Sequence, residues 1–148
     1  MKMRDEDWQL VKHFKAHEFS PNPYMMEQTI VFLIDTIRDL FNSPIHITSA
    51  WSPGTGHSAT SQHYVGKAVD FWIKDIPFRD AVDLMEGFIA SPPRGIGVAG
   101  RIGLGIYPHW VQPGFHLDSR GTFARWGVVK RKGKQIYVSW DYAYEAVV

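Results

Sequence analysis

The stretch Ser61–Asp70, SQHYVGKAVD, decides how this chain is read, together with Gly114–Asp118, GFHLD. Between them they supply His63, Asp70 and His116. Two imidazoles and one carboxylate are the donor types that hold a catalytic zinc ion and leave a further position open to water. An open position separates a catalytic site from a closed structural one.

The spacing makes mechanical sense. Lys67–Lys74 reads as a strand with Val69, Phe71 and Ile73 on one face and Ala68, Asp70 and Trp72 on the other. Asp70 thus lies opposite a run of large apolar side chains. An isolated carboxylate there needs a partner, and a metal ion supplies one. Gly66 and Ala68 are small and are expected to let the loop bearing His63 fold back over the strand. His116 and Asp118 fall on a further strand, on the same face by period two. Asp118 is then placed to orient the His116 imidazole and fix its tautomer. The plain alternative for Asp118 is an ion pair with Arg120 or Arg125.

The pattern Ser61-x-His63-x-x-Gly66-x-Ala68-x-Asp70, followed by His116-x-Asp118, resembles the zinc D-Ala-D-Ala peptidase family. That family takes in bacterial D,D-carboxypeptidases and dipeptidases and the L-alanyl-D-glutamate endopeptidases of phage endolysins. Its fold is shared with the hedgehog signalling domain. The likeness runs from about His13 to Trp126 and includes the leading His13-Phe14 and Glu18-Phe19, the Gly-Leu-Gly-Ile-Tyr-Pro run, and the Arg and Trp within Ser119–Trp126. It implies a zinc ion on His63, Asp70 and His116, and a peptidoglycan stem peptide as substrate, cleaved in a D,D- or L,D-type reaction. Trp51, Ser61 and His57 become the candidate substrate-binding residues.

The chain departs from that family at two points. The family's strand ends in Tyr-Arg-Ser-Pro, whose Arg holds the substrate carboxylate. Here the residues are Ala50-Trp51-Ser52-Pro53. An indole has one donor and no charge, so Trp51 cannot make a guanidinium's paired bonds. Either another Arg reaches in, or the enzyme does not grip a free C-terminus, and the second reading is preferred. The family's general base is a Glu, Asp or His two or three residues before the last ligand. Here those positions hold Gly114 and Pro113. The remaining candidates are His109, His57 and Asp118, with His109 the first choice because an imidazole titrates near neutral pH. Were none to reach the site, the chain would be a catalytically inactive zinc-binding or phage-structural module of the same fold.

The rest of the sequence supplies a scaffold. Its 148 residues suit a single domain with a real core, the resemblance covering its front and a hairpin and tail spanning 127–148. With no Cys, neither disulfides nor thiolates hold it together. A formal charge of +1 points to no nucleic-acid partner. The first residues lack the apolar core of a signal peptide, and the longest apolar run, Ile30–Ile34, is too short to span a bilayer. The expectation is a monomer without a membrane partner, made in the cytoplasm, phage or prophage encoded, and acting on the cell wall after release.

Met1–Asp7 is charged and expected to fray. His13 and His17, four apart, read as surface residues rather than ligands. A helix is predicted over Tyr24–Phe41, with Ile30, Leu33, Ile34, Ile37, Leu40 and Phe41 on its stripe and Asp35 and Asp39 solvated. Ile45–Ser49 reads as a strand, and a second helix follows Asp75 and Pro77 to about Ala90, closed by Ser91-Pro92-Pro93-Arg94. Gly95–Tyr107 is glycine-rich but lacks the Gly-Lys-Ser/Thr of a phosphate loop, and its glycines are expected to permit close backbone approach near the site. Gly127–Trp140 reads as a hairpin turning at Lys132-Gly133-Lys134, with a polar basic tip, and the tail DYAYEAVV carries no motif. The predicted class is α+β: a small, mostly antiparallel sheet of the hedgehog/DD-peptidase type carrying the ligands, with two packed helices.

Overall fold

The computed structural model describes residues 1–92 and 101–147. Pro93, Arg94 and Gly95–Gly100, in the turn and glycine-rich stretch singled out above, lie outside the described residues. Four helices, α1 (Asp5–Trp8), α2 (Gln28–Phe41), α3 (Phe78–Ala90) and α4 (Trp140–Glu145), accompany six strands. The strands are β1 (Ile45–Ser49), β2 (Ala68–Ile73), β3 (Gly103–Tyr107), β4 (Gly114–Asp118), β5 (Ala124–Arg131) and β6 (Lys134–Val138). They form one sheet in the order β1-β2-β4-β3-β5-β6, antiparallel except where β3 and β5 run parallel. The class is therefore α+β, as the sequence implies.

Period two sorts the sheet into two faces. Ile47, Val69, Phe71, Ile73, Leu104, Ile106, Phe115 and Leu117 join one buried cluster with Ile30, Ile34 and Ile37 of α2 and Val82 and Met85 of α3. Burying each such side chain fully is worth about 1.5–3 kcal/mol, which fixes the sheet's register against the helices. The opposite face carries Asp70, His116 and Asp118. Cross-strand pairing sets Asp70 beside His116, His116 beside Gly105, and Gly105 beside Trp126. One row across β2, β4, β3 and β5 thus holds two candidate ligands, a glycine and an indole.

Several elements depart from the sequence reading. Helix α2 begins at Gln28 rather than Tyr24, because Met26 and Glu27 are held extended. Their neighbours bond to the N-terminal segment: Met3 N–H donates to the Met26 carbonyl and Gln28 N–H to that of Met1, both at 2.9 Å. That segment is not frayed, since Met3 is buried and Lys2 bridges Glu27. Asp35 is not solvated. Its buried carboxylate accepts from the backbone N–H groups of Lys12 and His13, both at 2.9 Å, tying the leading segment to α2. Asp39 is exposed as expected and meets His13 Nε2 at 2.9 Å.

Strand β5 starts at Ala124, earlier than the expected Gly127, because Gly103–Ile106 of β3 recruits Ala124–Gly127 as a parallel neighbour. The hairpin turn falls on Lys132 and Gly133, both at positive φ. The tail forms α4, capped by Ser139, whose Oγ accepts from Tyr142 N–H at 3.2 Å. Ala143 seats α4 against Gly127, where an added Cβ would come within 2.0 Å of the alanine Cβ.

Candidate metal centre

His63 sits in a short 3-10 turn, Gln62–Val65, whose first N–H groups are met by Ser61. Ser61 Oγ accepts from His63 N–H at 3.2 Å, so Ser61 helps position the histidine as well as bordering the cavity above it. The turn ends at Gly66, at φ +73°. A Cβ there would lie 1.9 Å from the Met25 carbonyl oxygen. Gly66 is required by that backbone angle and by the N-terminal segment, whose Glu27 N–H donates to the Gly66 carbonyl at 2.8 Å. The loop does bring His63 back over β2 to Asp70, but Gly66 serves it by clearing Met25 rather than the strand.

The structure brings His63, Asp70 and His116 together. His63 Nε2 and His116 Nδ1 both face Asp70 Oδ1, at 3.2 and 3.0 Å. Their outer nitrogens define the tautomers. His63 Nδ1 meets the Ala50 carbonyl at 2.8 Å, and a carbonyl only accepts, so Nδ1 carries the proton. His116 Nε2 meets Asp118 Oδ2 at 2.7 Å, so Nε2 donates there. In the neutral tautomers both inner nitrogens are bare lone pairs aimed at a carboxylate oxygen. In that state three acceptors converge with no donor between them, and either a second proton on His116 or a cation held by all three resolves it. The separations of 3.0 and 3.2 Å match the ligand–ligand edge of about 3.3 Å that zinc bond lengths of about 2.0–2.2 Å give a tetrahedron. The residues present fit a zinc ion.

The charges agree. Burial works against an ionised Asp70, yet hydrogen bonds to His116 and His63 outweigh it and bring the carboxyl down to about 2. Burial likewise opposes a charged His116, but Asp118 and Asp70 together hold its pKa above the ordinary value. Asp118 is fully buried. Desolvation is overcome by Arg120 and His116, which hold its carboxyl well below the usual range. It accepts from Gly103 N–H and Arg120 N–H at 3.2 Å each, and from Arg120 Nε and Nη2 at 2.8 and 2.6 Å. Both sequence alternatives for Asp118 therefore hold at once, with Arg120 as the ion-pair partner. Arg125 instead lies 3.5 Å from Glu86.

A cavity of about 710 Å³ opens over this centre, bordered on one side by the His57–Gln62 loop and on the other by Tyr107, Trp110, Trp126 and Tyr137. His57 stacks on His63 with ring centroids 4.1 Å apart and planes 14° apart. Its backbone is clamped by the Tyr64 hydroxyl, which accepts from His57 N–H at 3.0 Å and donates to its carbonyl at 2.6 Å. Ligand atoms of His57, His63 and Asp70 all lie within 4.8 Å of one another, a group that could also hold a metal. Parallel rings, however, run their lone pairs side by side instead of converging on one ion. Burial, then the neighbouring His63, lowers the His57 pKa.

The other sequence candidates are not brought to the centre. His109 is exposed in the turn after β3, borders a separate small pocket, and its Nδ1 accepts from Lys130 N–H at 2.8 Å. Trp51 packs against the core and does not border the cavity. Gly114, where the resemblance expects a base, has no room for a side chain, since a Cβ would lie 2.4 Å from the Phe71 carbonyl oxygen.

Sequence reasoning did not identify the residues of the aromatic wall, Tyr107, Trp110, Trp126 and Tyr137. Its signal lies in the alternate glycines of β3. A Cβ at Gly105 would fall 2.7 Å from the Trp126 ring, and one at Gly103 would fall 2.7 Å from Asp118 and Arg120. These glycines admit side chains from the neighbouring strands, rather than the close backbone approach expected from the sequence.

A family model described as Peptidase M15 matches residues 9–103, a span that includes His63 and Asp70 and stops before His116. Searches of curated proteins and of solved structures returned no match. The matched span covers well over half of the chain, and the chain therefore belongs to the M15 peptidase family.

Proposed function

We propose that this chain is a zinc-dependent peptidase that hydrolyses an amide bond in a peptidoglycan stem peptide, of D,D or L,D type. The observation that carries the reading is the convergence of two bare imidazole nitrogens on Asp70 Oδ1, each imidazole locked by an outer hydrogen bond. His63, Asp70 and His116 hold the ion, and Asp118 orients His116. Zinc, when bound, polarises the scissile carbonyl and ionises water near neutral pH.

The chain's own groups do the rest. Of the three base candidates, His57 alone borders the cavity, with its Nε2 3.5 Å from Ser49 Oγ. Kept neutral by burial, it accepts a proton there and returns it to the leaving amine. His109, tied to Lys130, takes no part. Burial pushes the Tyr107 phenol well above its ordinary value, so it stays a neutral donor at the cavity wall. Trp110, Trp126 and Tyr137 exclude water and offer flat apolar faces to the substrate.

The test is digestion of purified muropeptides followed by mass spectrometry, with zinc-loaded protein, chelated protein and His63→Ala. Cleavage that needs both zinc and His63 supports the reading. No cleavage of any fragment by a protein carrying near one zinc per chain would overturn it in favour of a non-catalytic zinc-binding module.

A further inference from the structure

Arg120 is the only Lys or Arg bordering the cavity among the described residues. It stands on the loop after β4, beside the metal centre. Trp51, where the family resemblance expects a carboxylate-holding Arg, packs against the core and does not border the cavity. Arg120 is thus the one permanently charged cation in the described cavity lining.

That cation is unusually well set. Nε and Nη2 lie side-on against Asp118 at 2.8 and 2.6 Å. The guanidinium lies over the Trp126 ring, 4.9 Å from its centroid. These contacts use one edge and one face of the fork, and Nη1 has no hydrogen-bond partner among the described residues. Asp118 is fully buried while the Arg120 side chain is 30% exposed, so the pair presents its positive end to the cavity. Asp118 also divides its charge between Arg120 and His116. A guanidinium already held in place loses little freedom when it binds an anion. Gly103 keeps this arrangement possible, since any Cβ there would strike both partners.

We propose that Arg120 anchors a substrate carboxylate through its unspent Nη1 edge, beside the metal centre. The peptide nature of the substrate rests on the peptidase reading, but the carboxylate site does not require turnover. Its source is either a terminal carboxylate or a side-chain carboxylate of the same peptide. The chemistry is shared, and probes separate the two.

The experiment is titration calorimetry on metal-free protein, so that zinc cannot take the carboxylate. The probes are N-acetyl-D-alanyl-D-alanine against its C-terminal amide, and N-acetyl-D-glutamic acid α-amide against N-acetyl-D-glutamine α-amide. Wild type should prefer one acid over its neutral partner by roughly tenfold or more, the scale of a charge-assisted hydrogen bond. Preference within the first pair marks a terminal carboxylate, and within the second a side-chain one. Arg120→Gln should abolish the preference, and Arg120→Lys should keep part of it. No acid preference in wild type overturns the proposal. So does a preference that survives in Arg120→Gln while zinc retention in chelator competition falls, because Arg120 would then act only by positioning Asp118. Should Arg120→Gln melt far below wild type, Arg120→Lys decides, with an undiminished preference counting against the proposal. Failure of wild type to cleave muropeptides removes the peptidase reading and leaves these binding outcomes intact.

Discussion

At the residue scale the centre depends on which nitrogen carries a proton. The Ala50 carbonyl and the Asp118 carboxylate settle this for His63 and His116. Asp118→Asn removes the charge that orients His116, and zinc affinity should fall roughly 10–100-fold, read by chelator competition. His57→Asn is expected to lower kcat roughly 10²–10⁴-fold with zinc content unchanged. Loss of zinc along with activity would make His57 a ligand instead. Elemental analysis beside the kinetics separates the two outcomes. The closeness of His63 and Asp70 was legible from local spacing, whereas His116, 46 residues from Asp70, was joined to them by the family resemblance. His109 was not placed correctly by such reasoning. Its direction is set by a turn and by the backbone of Lys130 on another strand, a long-range contact that local spacing does not encode.

Among the elements, β3 shapes the site by what it lacks. Gly105→Ala would put a methyl 2.7 Å from the Trp126 ring. The expected cost is about 1–3 kcal/mol, seen as a lower melting temperature, with the indole displaced from the cavity wall and its fluorescence changed. The N-terminal segment behaves as an element too. Asp7 accepts from Arg4 N–H at 2.9 Å and from Gln28 Nε2 at 3.0 Å, and the Arg4 side chain, foremost, lowers its pKa. A depressed carboxyl contributes stability above its unfolded pKa of about 3.9 and loses it as pH falls through the folded value. Asp7→Asn should therefore melt earlier than wild type at pH 7, and the gap should close in melts below about pH 4. The apolar stripe of α2 was readable from periodicity except at Leu40, which is exposed. The late start of α2 was not, because strand-like bonds from Met1 and Met3 outcompete helix propensity at Met26 and Glu27. Helix α4 escaped for a similar reason: six residues have little helical preference alone and fold against Gly127.

For the whole molecule, the proposed zinc site would couple metal binding to the fold. The centre draws on β2, β4 and the 3-10 turn before β2, and the N-terminal segment supports that turn through Gly66. A ligand present at about 100 times its Kd adds about 2.7 kcal/mol to stability. For a chain of this size that is a rise of roughly 5–10 °C. Calorimetry with and without chelator should show such a shift, and His116→Ala should show none. No helix among the described residues is long and apolar enough to cross a membrane. The antiparallel core was legible as alternating strands. The parallel join of β3 to β5 was not, since it depends on two segments separated by all of β4.

The pairing of Asp70 with His116 has a consequence for quality control. Side chains alternate along a strand, so a slip of β4 by one residue would turn His116 and Asp118 toward the helices and Phe115 and Leu117 toward water. A misaligned chain therefore assembles no donor set and captures no ion. On the proposed zinc reading, metal uptake would report correct threading, because only a correctly threaded sheet can be loaded.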